Sequence, residues 1–185
     1  MEKNLNSYIK IYNILDKEKC QETVEELDNL EFELHTFYNY LEDRNVQHGN
    51  ELSVYNGHSM YYNYYMQQIW EGLKSYLTDM NFPWYNTWSG FSPIRYNRYN
   101  VGTEMHKHCD HIHTLFEGPK KGIPTLSIVG CLNENFSGGK FIMFDDEEIK
   151  LNTGDIMIFP SNFLFPHCVT EVTEGTRYTL VSWTW

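Results

Sequence analysis

The spacing of apolar residues changes character along the chain. Over residues 7–15 (Ser7-Tyr8-Ile9-Lys10-Ile11-Tyr12-Asn13-Ile14-Leu15) they alternate, as a strand requires. Asp16 then stands where a helix N-cap would. Cys20, Val24 and Leu27 follow at i, i+4 and i+7 with acidic residues between them, which predicts an amphipathic helix over 17–29. Residues 31–57 are mixed, with a short strand around Phe32–His35 and no legible pattern near Asn45–Gly49. Ser59 reads as the cap of a second helix. Its apolar stripe is Tyr62, Met66, Ile69, Leu73 and Tyr76, and Met80-Asn81 followed by Pro83 ends it. The tyrosines between Tyr55 and Tyr65 fit an aromatic helix face packed on a sheet.

From Pro93 onward the pattern is one of short strands, expected at 94–101, 105–111, 124–133, 139–144, 147–151, 155–159, 167–172 and 176–185. Asn135-Phe136-Ser137-Gly138-Gly139 and Asn152-Thr153-Gly154-Asp155 read as turns between them. Strands this short and this closely spaced predict a mainly β (α+β) fold, a double-stranded β-helix or jelly roll, with the N-terminal helices packed on one outer face. There is no linker or repeat, so one domain is expected over 1–185, with 1–92 as support and 93–185 as the core.

Aromatics make up 16% of the 185 residues, which excludes a disordered composition. The formal charge of -11 removes the positive field that draws phosphate backbones, so no nucleic-acid partner is expected. Four cysteines at unrelated spacings form no disulfide framework. The opening Met1-Glu2-Lys3-Asn4 is not that of a signal peptide, and no apolar run spans a bilayer. A reducing cytoplasmic setting with no membrane partner is the expectation.

The chemistry concentrates in Tyr99–Asp110. In an extended strand His108 and Asp110, at i and i+2, look into one space. An imidazole and a carboxylate are two of the three ligands that hold non-haem Fe(II) and leave positions open. His167, distant in sequence, is the candidate third ligand. Other pairings exist. His106 and His108 could begin a cupin-type site, and His111 and His113 could be solvent-facing loop residues. Alternation keeps His106 on the ligand face, near the metal or the substrate, and turns Cys109 and Cys168 away as packing residues.

The order Tyr99-x-x-Gly102-x5-His108-x-Asp110, then Gly154-Asp155, then His167-x-Val169, then Gly175-Thr176-Arg177-Tyr178 resembles the prolyl-hydroxylase branch of the 2-oxoglutarate/Fe(II) dioxygenases. The likeness runs from about Arg95 to Trp185. Leu132-Asn133, Ser137-Gly138-Gly139, Phe159-Pro160-Ser161 before Pro166-His167, and Trp183 place it near the hypoxia-type enzymes. The resemblance implies Fe(II) on His108, Asp110 and His167, with 2-oxoglutarate and O2 as co-substrates and ascorbate as an optional reductant. It implies that Arg177 takes the far carboxylate of 2-oxoglutarate, and a guanidinium fork suits that role. Alternation agrees: Arg177, Thr179, Val181 and Trp183 share one strand face. Tyr99, Trp183 and Ser127 match positions lining the co-substrate pocket. One position departs. Where the relatives place a carboxylate-binding tyrosine this chain has Cys131, a poor donor, with Tyr96 and Thr179 as substitutes.

The implied reaction is hydroxylation of a prolyl residue in a peptide or protein, with release of succinate and CO2. The aromatics of Phe82–Trp88, with Tyr96, could stack on a proline ring, and the acidic surface would favour a basic target. Two alternatives stand beside it: the same iron chemistry on a free amino acid, small metabolite or nucleobase, and a non-catalytic jelly-roll binding module. The sequence leaves the oligomeric state open.

Overall fold

A computed structural model describes residues 4–39, 42–47, 49–82, 90–110 and 124–185. In chain order the elements are β1 (Lys10–Asn13), α1 (Lys17–Leu27), β2 (Glu33–Leu34), β3 (Phe37–Asn39), β4 (Arg44–Val46), β5 (Ser53–Tyr55) and α2 (Tyr62–Met80). There follow β6 (Arg95–Tyr99), β7 (Met105–His108), β8 (Leu126–Cys131), β9 (Phe136–Gly138), β10 (Phe141–Met143), β11 (Glu147–Ile149), β12 (Asp155–Pro160), β13 (His167–Val169), β14 (Val172–Gly175) and β15 (Arg177–Trp183).

Seven strands form one antiparallel sheet in the order β1-β12-β8-β15-β6-β5-β2, and four form a second in the order β11-β10-β13-β7. This is the jelly-roll arrangement. The central strands of the large sheet are buried on both faces, which explains why β8 and β12 read as nearly continuous apolar runs. On one face Ile156, Ile158, Ile128 and Leu180 pack with Tyr65, Ile69, Leu73 and Tyr76 of α2 and Cys20 and Leu27 of α1. On the other, Met157, Phe159, Val129 and Val181 pack with Phe141, Met143 and Val169 of the second sheet. The helices therefore cover one outer face, and the space between the sheets holds the second core.

Asp16 caps α1, its side chain accepting from the Lys19 N–H at 3.0 Å. Ser59 does not cap α2. The helix starts at Tyr62 with Tyr61 as an N-cap lacking a side-chain bond, because the Ser59 hydroxyl is used inward on Tyr96 Oη at 2.7 Å. The buried stripe is Tyr65, Ile69, Gly72, Leu73 and Tyr76, with Tyr62 and Met66 at its margin. Asn81, in the left-handed region at φ 46°, closes the helix.

The expected turn at Asn152–Asp155 forms. The Asp155 N–H donates to the Asn152 carbonyl at 2.9 Å, and Gly154 takes φ 96° where a Cβ would lie 2.7 Å from the Leu15 carbonyl oxygen. The expected turn at Asn135–Gly139 is instead partly a strand, with Phe136–Gly138 paired to β14. Two adjacent glycines hid a pairing made by backbone and by the Ser137 hydroxyl, which donates to Glu174 Oε2 at 3.1 Å. Residue 111 of an expected strand, the aromatics at 83–89, and His111 and His113 lie outside the described residues.

Candidate metal centre and its cavity

In the four-stranded sheet His167 of β13 is the cross-strand partner of His108 of β7, with ring centroids 4.4 Å apart. Asp110 follows two residues beyond the end of β7. Its Oδ1 lies 3.4 Å from His108 Nε2 and 3.9 Å from His167 Nε2. One donor atom from each of the three lies within 4.8 Å of the others, a group that could hold a metal ion.

Hydrogen bonds on the far side of each side chain fix how these donors point. His108 Nδ1 lies 2.7 Å from the His106 carbonyl oxygen and His167 Nδ1 lies 3.1 Å from that of Phe165. A carbonyl only accepts, so each neutral ring carries its proton on Nδ1 and turns a bare Nε2 lone pair inward. Asp110 Oδ2 accepts from Ser127 Oγ at 2.6 Å and from Trp183 Nε1 at 2.9 Å, which leaves Oδ1 facing the imidazoles. Outer bonds of this kind orient metal ligands. The His167 ring, 4% exposed, is stacked on Phe141 at 5.2 Å and met edge-on by Phe159 at 5.1 Å. Burial alone would raise the Asp110 carboxyl, but His167, His108 and the Ser127 hydroxyl outweigh it and hold Asp110 well below the usual carboxylate range. Burial also lowers His167 and so favours the neutral, ligating form.

His106 does not share this space. His167 pairs with His108 while Val169 pairs with Met105, so β7 carries one residue more than β13 between the two rungs. This β-bulge breaks the alternation. Met105 takes the inward position beside His108, and His106 turns to Glu51, its Nδ1 2.6 Å from Oε1. The expectation that His106 lies on the ligand face is corrected, and the cupin-type pairing of His106 with His108 loses its geometry. Cys109 and Cys168 are partly buried and outside the cavity.

The triad opens into a narrow cavity of about 40 Å³ between the two sheets. Arg177, Thr179, Val181 and Trp183 of β15 all line it, whereas Tyr178 and Leu180 face the helices. Arg177 is 3% exposed, and its guanidinium carbon lies 4.9 Å from the Tyr99 ring centroid and 6.0 Å from that of Phe136. No described residue gives it a carboxylate within ion-pairing distance. A buried guanidinium so placed is costly until an anion arrives.

Tyr99 lines the cavity as an aromatic wall. Trp183 lines it too, but its polar atom is committed to Asp110. Ser127 stands behind Asp110, with Ser161 Oγ at 2.7 Å, and not on the cavity surface. Cys131 borders a second cleft of about 250 Å³ that Arg177 and Phe141 also line, and burial pushes its thiol up to about 11. Of the two substitutes considered for the missing tyrosine, Tyr96 belongs to the helix-side core and Thr179 alone faces the cavity. Sequence reading passed over Arg95 and Asn97, which line the cavity on β6. The signal was available, since both share the alternation of Tyr99.

Comparison with known proteins agrees with this chemistry. Residues 94–185 match the family model described as the 2OG-Fe(II) oxygenase superfamily. A PKHD-type hydroxylase of Delftia acidovorans is 33% identical over 100 residues, half of this chain and 42% of that protein. One of Acinetobacter baumannii is 33% identical over 97 residues, again 42% of that protein. The matches thus span less than half the length of these curated relatives. Among solved structures, a prolyl hydroxylase from Trichoplax adhaerens in complex with a hypoxia inducible factor peptide fragment superposes with a TM-score of 0.71. It is 17% identical, with 97% of this chain and 84% of that one covered. The viral collagen prolyl hydroxylase of Paramecium Bursaria Chlorella virus-1, in its 2OG complex, gives 0.64 at 15% identity over 96% and 94%. These likenesses establish the shared fold. Two imidazoles and a carboxylate with open positions are the donor set of non-haem Fe(II) oxygenases, so the residues fit the metal this family uses. By its matched half, its fold and its donor set, the chain belongs to the 2OG-Fe(II) oxygenase superfamily.

Proposed function

We propose that the protein is a 2-oxoglutarate- and Fe(II)-dependent dioxygenase that hydroxylates a prolyl residue of a peptide or protein. The observation that carries this reading is the pairing, in one cavity, of three convergent metal donors with a buried arginine to which no described residue brings a carboxylate within ion-pairing distance. His108, Asp110 and His167 ligate the metal. Ser127 and Trp183 hold Asp110 so that one oxygen stays directed inward. Arg177 receives the far carboxylate of 2-oxoglutarate, with Tyr99 and Thr179 beside it. When bound, Fe(II) and 2-oxoglutarate activate O2, with release of CO2 and succinate and delivery of one oxygen atom to substrate carbon. The walls supplied by Val129, Val181 and Phe141 keep water from that centre. The prolyl substrate is supported by the likeness to prolyl hydroxylases, one of them holding a peptide. A cytoplasmic location goes with this reading, in keeping with four free cysteines.

The test is an anaerobic titration with Fe(II) and 2-oxoglutarate, following the visible charge-transfer absorption of a chelated keto acid. The native protein develops the band and the His167→Ala protein does not. A folded native protein without the band would return the chain to the binding-module reading. Proline-containing peptides should then gain one oxygen atom by mass spectrometry, and a broad peptide set of unchanged mass would leave the iron chemistry but remove the prolyl target.

A further inference from the structure

The cavity wall carries a second guanidinium that the proposed reaction does not use. Arg95, Asn97 and Tyr99 face inward on β6 as Arg177, Thr179, Val181 and Trp183 do on β15. Arg177 pairs with Tyr99 at one end of this ladder and Val181 with Arg95 at the other. Arg95 is held firmly. Its Nε donates to Asn97 Oδ1 at 3.0 Å, and its guanidinium carbon lies 4.9 Å from the Trp183 ring centroid. Trp183 in turn donates to Asp110, so this cation sits at the metal end of the cavity. Its two outer nitrogens have no hydrogen-bond partner among the described residues, and no described carboxylate lies within ion-pairing distance.

Charge counting shows why this matters. Among the described residues the full charges lining the cavity are Arg95, Arg177 and Asp110, one positive charge in excess on a chain whose formal charge is -11. Fe(II) and doubly ionised 2-oxoglutarate cancel each other, so the excess persists when both are bound. Asp110 supports the Arg95 charge through space but makes no ion pair with it, because Oδ2 is occupied by Ser127 and Trp183 and Oδ1 faces the imidazoles. Arg95 is half-buried, yet desolvation still penalises its charge, so packing alone is a poor reason to place a guanidinium here.

We propose that Arg95 is a substrate-binding residue that receives a carboxylate, so that the substrate carries an acidic group close to the carbon that is hydroxylated. This deepens the dioxygenase reading and rests on it. It also reverses the expectation, drawn from overall charge, of a basic target at the site itself. The carboxylate has two sources of the same chemistry, an Asp or Glu beside the target proline or the α-carboxylate of a free amino acid.

Matched probes that differ by one charge test it. Proline-containing peptides with Asp or Glu flanking the proline are compared with their Asn or Gln twins, and free L-proline with L-prolinamide. Each is titrated calorimetrically into the protein loaded with Mn(II) and 2-oxoglutarate, where binding is read without turnover. The carboxylate member of one pair should bind about tenfold tighter or more to the native protein, and the gap should close in Arg95→Met. A gap in the peptide pair assigns the acidic side chain, and one in the free pair assigns the α-carboxylate. No preference in either pair, including no binding at all, overturns the proposal, as does a gap that survives in Arg95→Met. Should Arg95→Met fail to fold, Arg95→Gln, which also removes the charge, takes its place, and the gap should close in it as well. On Fe(II)-loaded samples, a charge-transfer band without carboxylate preference removes only the role of Arg95. A missing band removes the cofactor assignment beneath it.

Discussion

The two faces of the large sheet handle buried polar groups in opposite ways. On the helix side each buried hydroxyl finds a partner within the protein. Tyr65 Oη meets Thr23 Oγ1 at 2.8 Å, Tyr96 Oη meets Ser59 Oγ at 2.7 Å, and Tyr178 Oη donates to Asp28 Oδ1 at 2.6 Å. That face is a closed structural unit. On the other face no described residue gives Arg177 or the outer nitrogens of Arg95 an anion within ion-pairing distance, and two histidines direct bare nitrogens toward Asp110 Oδ1. Polar groups left without partners beside a core this well satisfied mark where ligands complete the structure. Adjacent residues of one strand take part in both regimes, since Tyr178 and Leu180 belong to the first and Arg177 and Thr179 to the second.

The comparison breaks most severely if Arg177 is structural. Replacing it with Met should weaken 2-oxoglutarate binding by about a hundredfold, because a buried charge pair loses one member. The same change should leave the ligand-free thermal midpoint unchanged or raised, since an uncompensated buried charge is removed. Calorimetric titration and a melting curve read the two effects. A lower midpoint with intact 2-oxoglutarate binding would place Arg177 on the structural side of the ledger. Leu180→Ala, one register away on the helix face, should do the reverse. It should cost about 2–5 kcal/mol of unfolding free energy in a denaturant titration while the folded fraction keeps its charge-transfer band.

How far these two faces could be read from sequence follows from which interactions are local. The alternation of β15 and the Asp16 cap are local and were legible. The bulge in β7 was not, because it is a count of residues against a partner strand 60 positions away, and it moved His106 out of the site and Met105 in. Ser59 looked like a cap because it precedes a helix, yet its hydroxyl answers to Tyr96, 37 residues on. Ser127 was placed near the co-substrate by likeness to relatives. Its bond to Asp110 depends on where the chain goes after β7 ends, which periodicity does not encode. Arg95 was within reach, since the alternation that singled out Arg177 applies to β6 as well.

Ser127→Ala tests whether the outer bonds to Asp110 act on the metal or only on the fold. Loss of one such bond typically lowers metal affinity about 10- to 100-fold. The expected result is a shift of that size in a Mn(II) titration, with Trp183 retaining the second bond and the melting curve little changed. Equal metal affinity in the variant would show that the Trp183 bond is enough.

The smallest expected effect concerns the departure at Cys131. Its thiol lies beside Arg177 on the second cleft but is turned to the carbonyls of Asn133 and Leu151, so a weak donor already used on backbone oxygens stands where a tyrosine would serve. Thr179, its cross-strand neighbour on β15, is 1% exposed and faces the cavity beside Arg177. If Thr179 supplies the second donor to the far carboxylate, Thr179→Val should weaken 2-oxoglutarate by about 1 kcal/mol, the usual worth of one hydrogen bond, or roughly fivefold. The isosteric side chain keeps the packing, so a loss confined to 2-oxoglutarate and absent from Mn(II) binding identifies the hydroxyl as the cause. An unchanged affinity would mean that Arg177 alone holds the carboxylate, and that the cavity wall compensates for the missing tyrosine by burial and not by a second hydrogen bond.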